Sequence, residues 1–182
     1  MGVRVLVVYH SEEGQTAKIA ERIAAVLTGA GASAGTATTD GDPSPAGYDG
    51  VIVGGSIHLS RHSRSLRRWV TLHADTLGRM PTALFQVSLA SDDPEHDDEA
   101  HQLLQRLLDG TGLDPDIVGL FGGALASTRY GWLKRRAMHH IAASRGDPTD
   151  TSTDHEFTDW EAVDHFAGDA LALIHATAES GR

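Results

Sequence analysis

Short apolar runs alternate with amphipathic stretches along nearly the whole chain, and that alternation leaves few folds open. Residues 3–9 form the first run, and residues 15–29 follow with helical spacing through Ala17, Ile19, Ala20, Ile23, Ala24 and Leu27. A Gly/Ala-rich turn leads to a weak strand near 33–38, and the turn-rich segment 40–49 separates it from Gly50-Val51-Ile52-Val53-Gly54-Gly55. That run reads as a buried strand ending in glycines. A helix is expected over 63–77, with Leu66, Trp69, Val70, His73 and Leu77 on one face. Thr82-Ala83-Leu84-Phe85-Gln86-Val87 is the next strand, then come a helix near 100–110 and a strand at 117–123. Helices over 131–144 and 159–178 complete the pattern. Thr158 is expected to cap the last helix, with Glu161 in capping-box position.

Continuous apolar strands alternating with helices indicate a parallel sheet covered on both faces. Five strands and five helices suit an α/β, flavodoxin-like, doubly wound sheet of order 2-1-3-4-5. One domain is expected over residues 1–178, with 179–182 as a tail. In such sheets ligands bind beyond the carboxyl ends of the strands, at the switch point. The loops after the first, third and fourth strands should therefore converge.

Composition narrows the function classes. A chain of 182 residues with 40% hydrophobic residues can bury one sizeable core. No apolar run approaches the roughly 20 residues needed to span a bilayer, and no signal peptide is expected. The absence of cysteine excludes disulfides, thiolate ligands and a cysteine nucleophile, and fits a cytoplasmic protein. A formal net charge of −10 argues against general nucleic-acid binding.

The loop after the first strand is Ser11-Glu12-Glu13-Gly14-Gln15-Thr16. Backbone N–H groups at a helix start, with the Ser11 and Thr16 hydroxyls, can surround an anion. Gly14 allows close backbone approach or a positive φ. The plain alternative is that Ser11 only caps the helix.

This loop matches the Ser/Thr-x-x-Gly-x-Thr signature of flavodoxins. The chain resembles that family, and within it the flavodoxin-type, menaquinone-dependent protoporphyrinogen oxidases. The likeness runs through Tyr48-Asp49-Gly50-Val51-Ile52-Val53-Gly54-Gly55-Ser56-Ile57, Met80-Pro81-Thr82-Ala83 and Gly123-Ala124-Leu125. It continues through Arg129-Tyr130-Gly131-Trp132, Asp150-Thr151 and Phe157-Thr158-Asp159-Trp160-Glu161, in the family's order.

The resemblance implies FMN, its phosphate on Ser11, Glu12, Glu13, Gly14, Gln15 and Thr16. The Glu12 and Glu13 side chains are expected to point into solvent. Ser56, Ile57 and His58 would flank one side of the isoalloxazine, and Ser88, Leu89 and Ala90 the other. His10 stands where the subgroup often has a hydroxyl residue, and Leu59 where an aromatic residue can follow. Stacking on the ring would then rest on His58, Leu59 or Tyr130.

Eleven histidines raise the question of a metal. His139 and His140 are adjacent on an expected helix, so their side chains diverge by about 100°. His58 and His62 have no evident carboxylate partner in the sequence. His96, Asp97, Asp98 and His101 read as a solvated acidic entry to a helix. No metal site is expected.

Arg129 to Ile141 is a basic segment within an acidic chain. Its plain reading is a surface helix packed on the sheet. The resemblance implies instead that Arg129, Tyr130, Arg135 and Arg136 meet the propionates of a porphyrinogen or an anionic membrane surface. It implies protoporphyrinogen IX and a quinone as substrates, in haem biosynthesis, with peripheral contact at the inner face of the cell membrane. No side-chain general base is singled out. A homo-oligomer is left open. A flavodoxin-type electron carrier and a flavin-free binding protein are the competing readings.

Overall fold

The computed structural model describes residues 2–58, 61–88, 97–125 and 155–180. In chain order the elements begin with β1 (Arg4–His10), α1 (Gln15–Gly29), β2 (Ser33–Thr38) and a 3-10 turn at Thr39–Gly41. Next come β3 (Gly50–His58), β4 (Arg61–His62), α2 (Arg64–Leu77), β5 (Thr82–Ser88) and α3 (Asp97–Thr111). The chain continues through β6 (Ile117–Gly122), β7 (Ala124–Leu125), β8 (His155–Glu156) and α4 (Trp160–Ser180). The helix expected over 131–144 lies outside the described residues.

Five strands pair in parallel in the order β2-β1-β3-β5-β6, which is the expected 2-1-3-4-5 path once the short β4 is set aside. The sheet has six strands rather than five, because β4 pairs antiparallel with the end of β3 through Ile57–His62 and His58–Arg61. The sequence reading stopped β3 at its glycines. Here they sit inside the strand, where a side chain would collide with a neighbour: the Phe85 ring at Gly54 and Leu66 at Gly55. β7 and β8 form a separate antiparallel pair.

Both faces of the sheet are buried, as continuous apolar strands require. Val5, Val7, Ile52 and Phe85 face Ile19, Ile23, Phe166 and Ile174 from α1 and α4. Phe85, Phe121 and Phe166 meet with ring centroids 5.6 to 6.2 Å apart, in tilted and edge-on arrangements. On the opposite face Leu6, Val8, Val51, Val53 and Leu84 pack on Leu66, Trp69 and Val70 of α2 and Leu104 and Leu107 of α3. Each such fully buried aliphatic side chain contributes about 1.5–3 kcal/mol.

Two surface features join the helices to this frame. Arg22 of α1 forks onto both carboxylate oxygens of Asp164 in α4, at 2.7 and 2.6 Å. Those hydrogen bonds hold the Asp164 carboxyl below the usual range. The cap of α4 is Asp159, whose Oδ1 accepts from the backbone N–H groups of Glu161 and Ala162, both at 3.0 Å. This corrects the expected Thr158 cap: helix α4 starts one residue later, and Thr158 is used elsewhere. Among the described residues, no helix is long and apolar enough to cross a membrane.

Candidate functional site

The carboxyl ends of β1, β3, β5 and β6 lie side by side. His10 pairs with Gly55, Gly55 with Gln86, Ser56 with Val87, and Ser88 with Gly122. The chain leaves β1 towards β2 on one side while β3 lies on the other, so the switch point falls between β1 and β3. The loops carrying the expected site residues open there.

Residues Ser11 to Thr16 form a turn that delivers the chain into α1. Gly14 has φ 97°, in the left-handed region, and nothing lies within 4 Å of where its Cβ would stand. The Gly14 N–H donates to Ser11 Oγ at 3.0 Å. No side chain caps the helix start. Ser11 therefore stabilises the turn rather than the helix, which leaves first-turn N–H groups available to an anion. The Thr16 side chain is buried at that start, and its hydroxyl has no hydrogen-bond partner among the described residues. The same holds for the half-buried Ser56.

Gln15 is held differently. Its side chain is buried, and Nε2 donates to Thr158 Oγ1 at 2.8 Å; Thr158 in turn donates to the Gly122 carbonyl at 2.8 Å. That bond ties the Gln15 side chain towards the approach to α4, while its backbone N–H stays in the first turn of α1. Thr158 was visible within Thr-Asp-Trp-Glu, but the carboxylate beside it was the stronger capping signal.

The two loop glutamates are exposed, and they are not isolated. His58 Nδ1 lies 3.5 Å from Glu12 Oε2 and 3.8 Å from Glu13 Oε1. His10 Nε2 lies 4.0 Å from Glu12 Oε1, and its Nδ1 3.9 Å from Asp40 Oδ1. His58 thus has two carboxylate neighbours, contrary to the sequence reading. They come from a different loop, brought close only by the pairing of β1 with β3.

His62 folds back beneath the β3–β4 hairpin, beside Gly55 and Gln86. Burial pushes its pKa down from 6.5 to about 4; contact with Gln86 favours the charged ring, and the nearby Arg67 charge opposes it. Gln86 is fully buried and donates to the Ala100 carbonyl at 2.9 Å, while its Oε1 lacks a well-aligned partner. Neutral His62 is the adjacent group able to face that oxygen. Sequence spacing gave no sign of this pair, since the hairpin that creates it was not expected.

Ile57 is half-buried at the end of β3, and Ser88 is buried at the end of β5. Leu89, Ala90, Arg129, Tyr130, Arg135 and Arg136 lie outside the described residues. Among the described residues, no group of three or more His, Asp or Glu side chains gathers to hold a metal ion.

A parallel sheet of this order, with an uncapped helix-start loop at its switch point, defines a flavodoxin-type α/β protein. This chain belongs to the flavodoxin domain family, which matches residues 6–152. It is 30% identical over 174 residues to a protein of Escherichia coli K12 named protoporphyrinogen IX dehydrogenase [quinone], covering 94% of this chain and 96% of that protein. A Leishmania major protein of the same name is 33% identical over 129 residues, 70% of this chain and 56% of its own. The fold matches oxidised flavodoxin 1 of Bacillus cereus with TM-score 0.54 and 15% identity, over 93% of this chain and 97% of that one.

Proposed function

We propose that this chain is an FMN-dependent oxidoreductase that removes hydrogens from protoporphyrinogen IX and passes the electrons to a quinone, menaquinone above all. The reading rests on the start of α1: a left-handed Gly14, no side-chain cap and a Thr16 hydroxyl without a hydrogen-bond partner among the described residues, all at the switch point. The name of the Escherichia coli relative supports the substrate pair.

The residues present fit a phosphate monoester carried by an aromatic ring system. Ser11 and Thr16 would hold the phosphate through their hydroxyls and Gln15 through its backbone N–H, with Gly14 shaping the turn and Glu12 and Glu13 at its outer edge. Ser56, Ile57 and His58 would flank one side of the ring, and Ser88, Leu89 and Ala90 are assigned to the other, where they would exclude water. Bound there, FMN supplies the two-electron redox chemistry. Arg129, Tyr130, Arg135 and Arg136 are assigned to the anionic substrate. The same reading places the chain in haem biosynthesis, in the cytoplasm and peripherally at the inner face of the membrane.

A flavodoxin-type electron carrier is the second reading, favoured by the net charge of −10, which suits docking to a basic redox protein. The purified protein decides between them. It should be yellow or take up added FMN, and should then oxidise protoporphyrinogen anaerobically when a menaquinone analogue is supplied. A colourless protein that refuses FMN would reject both readings. FMN binding without porphyrinogen turnover would leave the carrier.

A further inference from the structure

Strand β4 and the start of helix α2 carry a cluster of positive charge at the carboxyl edge of the sheet, next to the candidate site. Arg61, Arg64, Arg67 and Arg68 are all exposed, and residues 61–68 contain no acidic side chain. The placement runs against helix electrostatics. The first turn of α2 has no acid, and cations near a helix N-terminus oppose the macrodipole. In a chain of net charge −10 this places four cations together at a helix end that they destabilise.

Two of these arginines line a groove of about 420 Å³ between α2 and the turn after β2. Thr39, Asp40 and Asp42 form one wall, Arg64, Ser65 and Arg68 the other, and the buried Trp69 the floor. Both acids already have partners. Asp40 Oδ1 accepts from Ser65 Oγ at 2.5 Å and faces His10, and Asp42 Oδ1 lies 3.4 Å from His73 Nε2. Neither Arg64 nor Arg68 makes an ion pair or hydrogen bond among the described residues. At i and i+4 the two guanidiniums project from the same side of the helix. Asp40 is shared between this groove and His10, so the groove abuts the end of β1.

We propose that this groove is a carboxylate-binding site in which Arg64 and Arg68 grip an anionic arm of the substrate. The inference rests on the porphyrinogen reading above, and it is separate from the 129–136 assignment. A propionate arm suits the setting: its methylenes lie over the Trp69 floor and its carboxylate meets guanidinium forks in bidentate geometry. The contact needs no redox change, so the oxidised porphyrin can report it.

The test titrates the FMN-loaded protein with protoporphyrin IX, its dimethyl ester and phosphatidylglycerol vesicles, following tryptophan emission and sedimentation. Arg64→Gln with Arg68→Gln should weaken protoporphyrin IX binding about ten-fold or more. The Arg64→Lys, Arg68→Lys pair should recover part of the loss, with FMN affinity and circular dichroism unchanged in both. The ester should bind the wild-type protein as weakly as the diacid binds the glutamine variant. Equal affinity of wild-type and glutamine variant would overturn the proposal, as would an ester that binds like the diacid. Loss of vesicle binding with intact porphyrin binding would give the patch to lipid instead. A wild-type protein that binds FMN but no porphyrin would defeat the porphyrinogen reading itself, a result distinct from a failure of the arginines alone.

Discussion

His58 Nδ1 stands 3.5 Å from Glu12 Oε2, so the end of β3 sets an imidazole against a carboxylate of the helix-start loop. This contact accounts for negative charge beside a site assigned to phosphate. The His58 ring lies within 4 Å of a carboxylate oxygen of each glutamate. Glu12→Gln with Glu13→Gln should tighten FMN by about two- to five-fold at low salt, the gain shrinking as salt screens exposed charge. In a His58→Ala background the gain should be larger, because the offsetting group is gone. Flavin fluorescence titrations at two ionic strengths read both effects, and a loss of affinity in the glutamine variant would contradict them.

Thr16 behaves oppositely. Its side chain is buried at the helix start and its hydroxyl makes no hydrogen bond among the described residues, so its contribution appears only when an anion arrives. Thr16→Val keeps the shape and removes the donor, and should weaken FMN about ten-fold. Urea unfolding of the ligand-free protein should change by less than about 0.5 kcal/mol, because no existing hydrogen bond is broken.

His62 ties stability to pH. Its folded pKa of about 4 lies below the ordinary 6.5, so between those values the unfolded chain binds more protons than the folded one. Stability is therefore unaffected above about pH 6.5 and falls as the pH drops towards 4, by at most about 3 kcal/mol, less for a ring partly open to solvent. His62→Gln should flatten this part of the profile. Urea midpoints from pH 7.5 to 4.5 measure it, and parallel curves for variant and wild type would refute the assignment.

Gly54 is a packing requirement. A Cβ there would overlap the Phe85 ring on the neighbouring strand, and both are buried. Gly54→Ala should cost about 2 kcal/mol or more, as overpacking of a tight core does. Phe85→Leu should recover part of that cost in the double variant while being destabilising alone.

These residues show what the sequence disclosed and what it withheld. The main strand path was legible because Val5, Val7, Val51 and Val53 belong to runs that only a doubly covered sheet can bury. Gly14 was legible because a left-handed turn before a helix favours glycine. The β3–β4 hairpin was not, since Gly54-Gly55 reads locally as a strand end and only the Phe85 and Leu66 side chains explain it. The partners of His58 were hidden for a related reason. Strand pairing, rather than sequence spacing, brings Glu12 and Glu13 to it. At the start of α4 Thr158 and Asp159 both suit a cap, and the hydrogen bonds to Glu161 and Ala162 select the aspartate.

Those two neighbours should separate cleanly in experiment. Asp159→Ala removes the cap and should cost about 1 kcal/mol of stability with little effect on FMN affinity. Thr158→Val leaves the cap in place but removes the bridge from Gln15 to Gly122, so its larger effect should be on FMN affinity. Interchanged phenotypes would mean that the bridge does not shape the loop.

The bridge from Gln15 to Thr158 spans 143 positions in sequence, so the first turn of α1 and the approach to α4 are mechanically one part. Whatever occupies the loop also braces the C-terminal helix, because a ligand that binds only the folded arrangement raises the free energy of every opening that disturbs it. Amide hydrogens in the opening turn of α4, far along the chain from any contact with the phosphate, should then exchange more slowly as the loop fills. The C-terminal helix becomes a distant gauge of occupancy at the N-terminal loop.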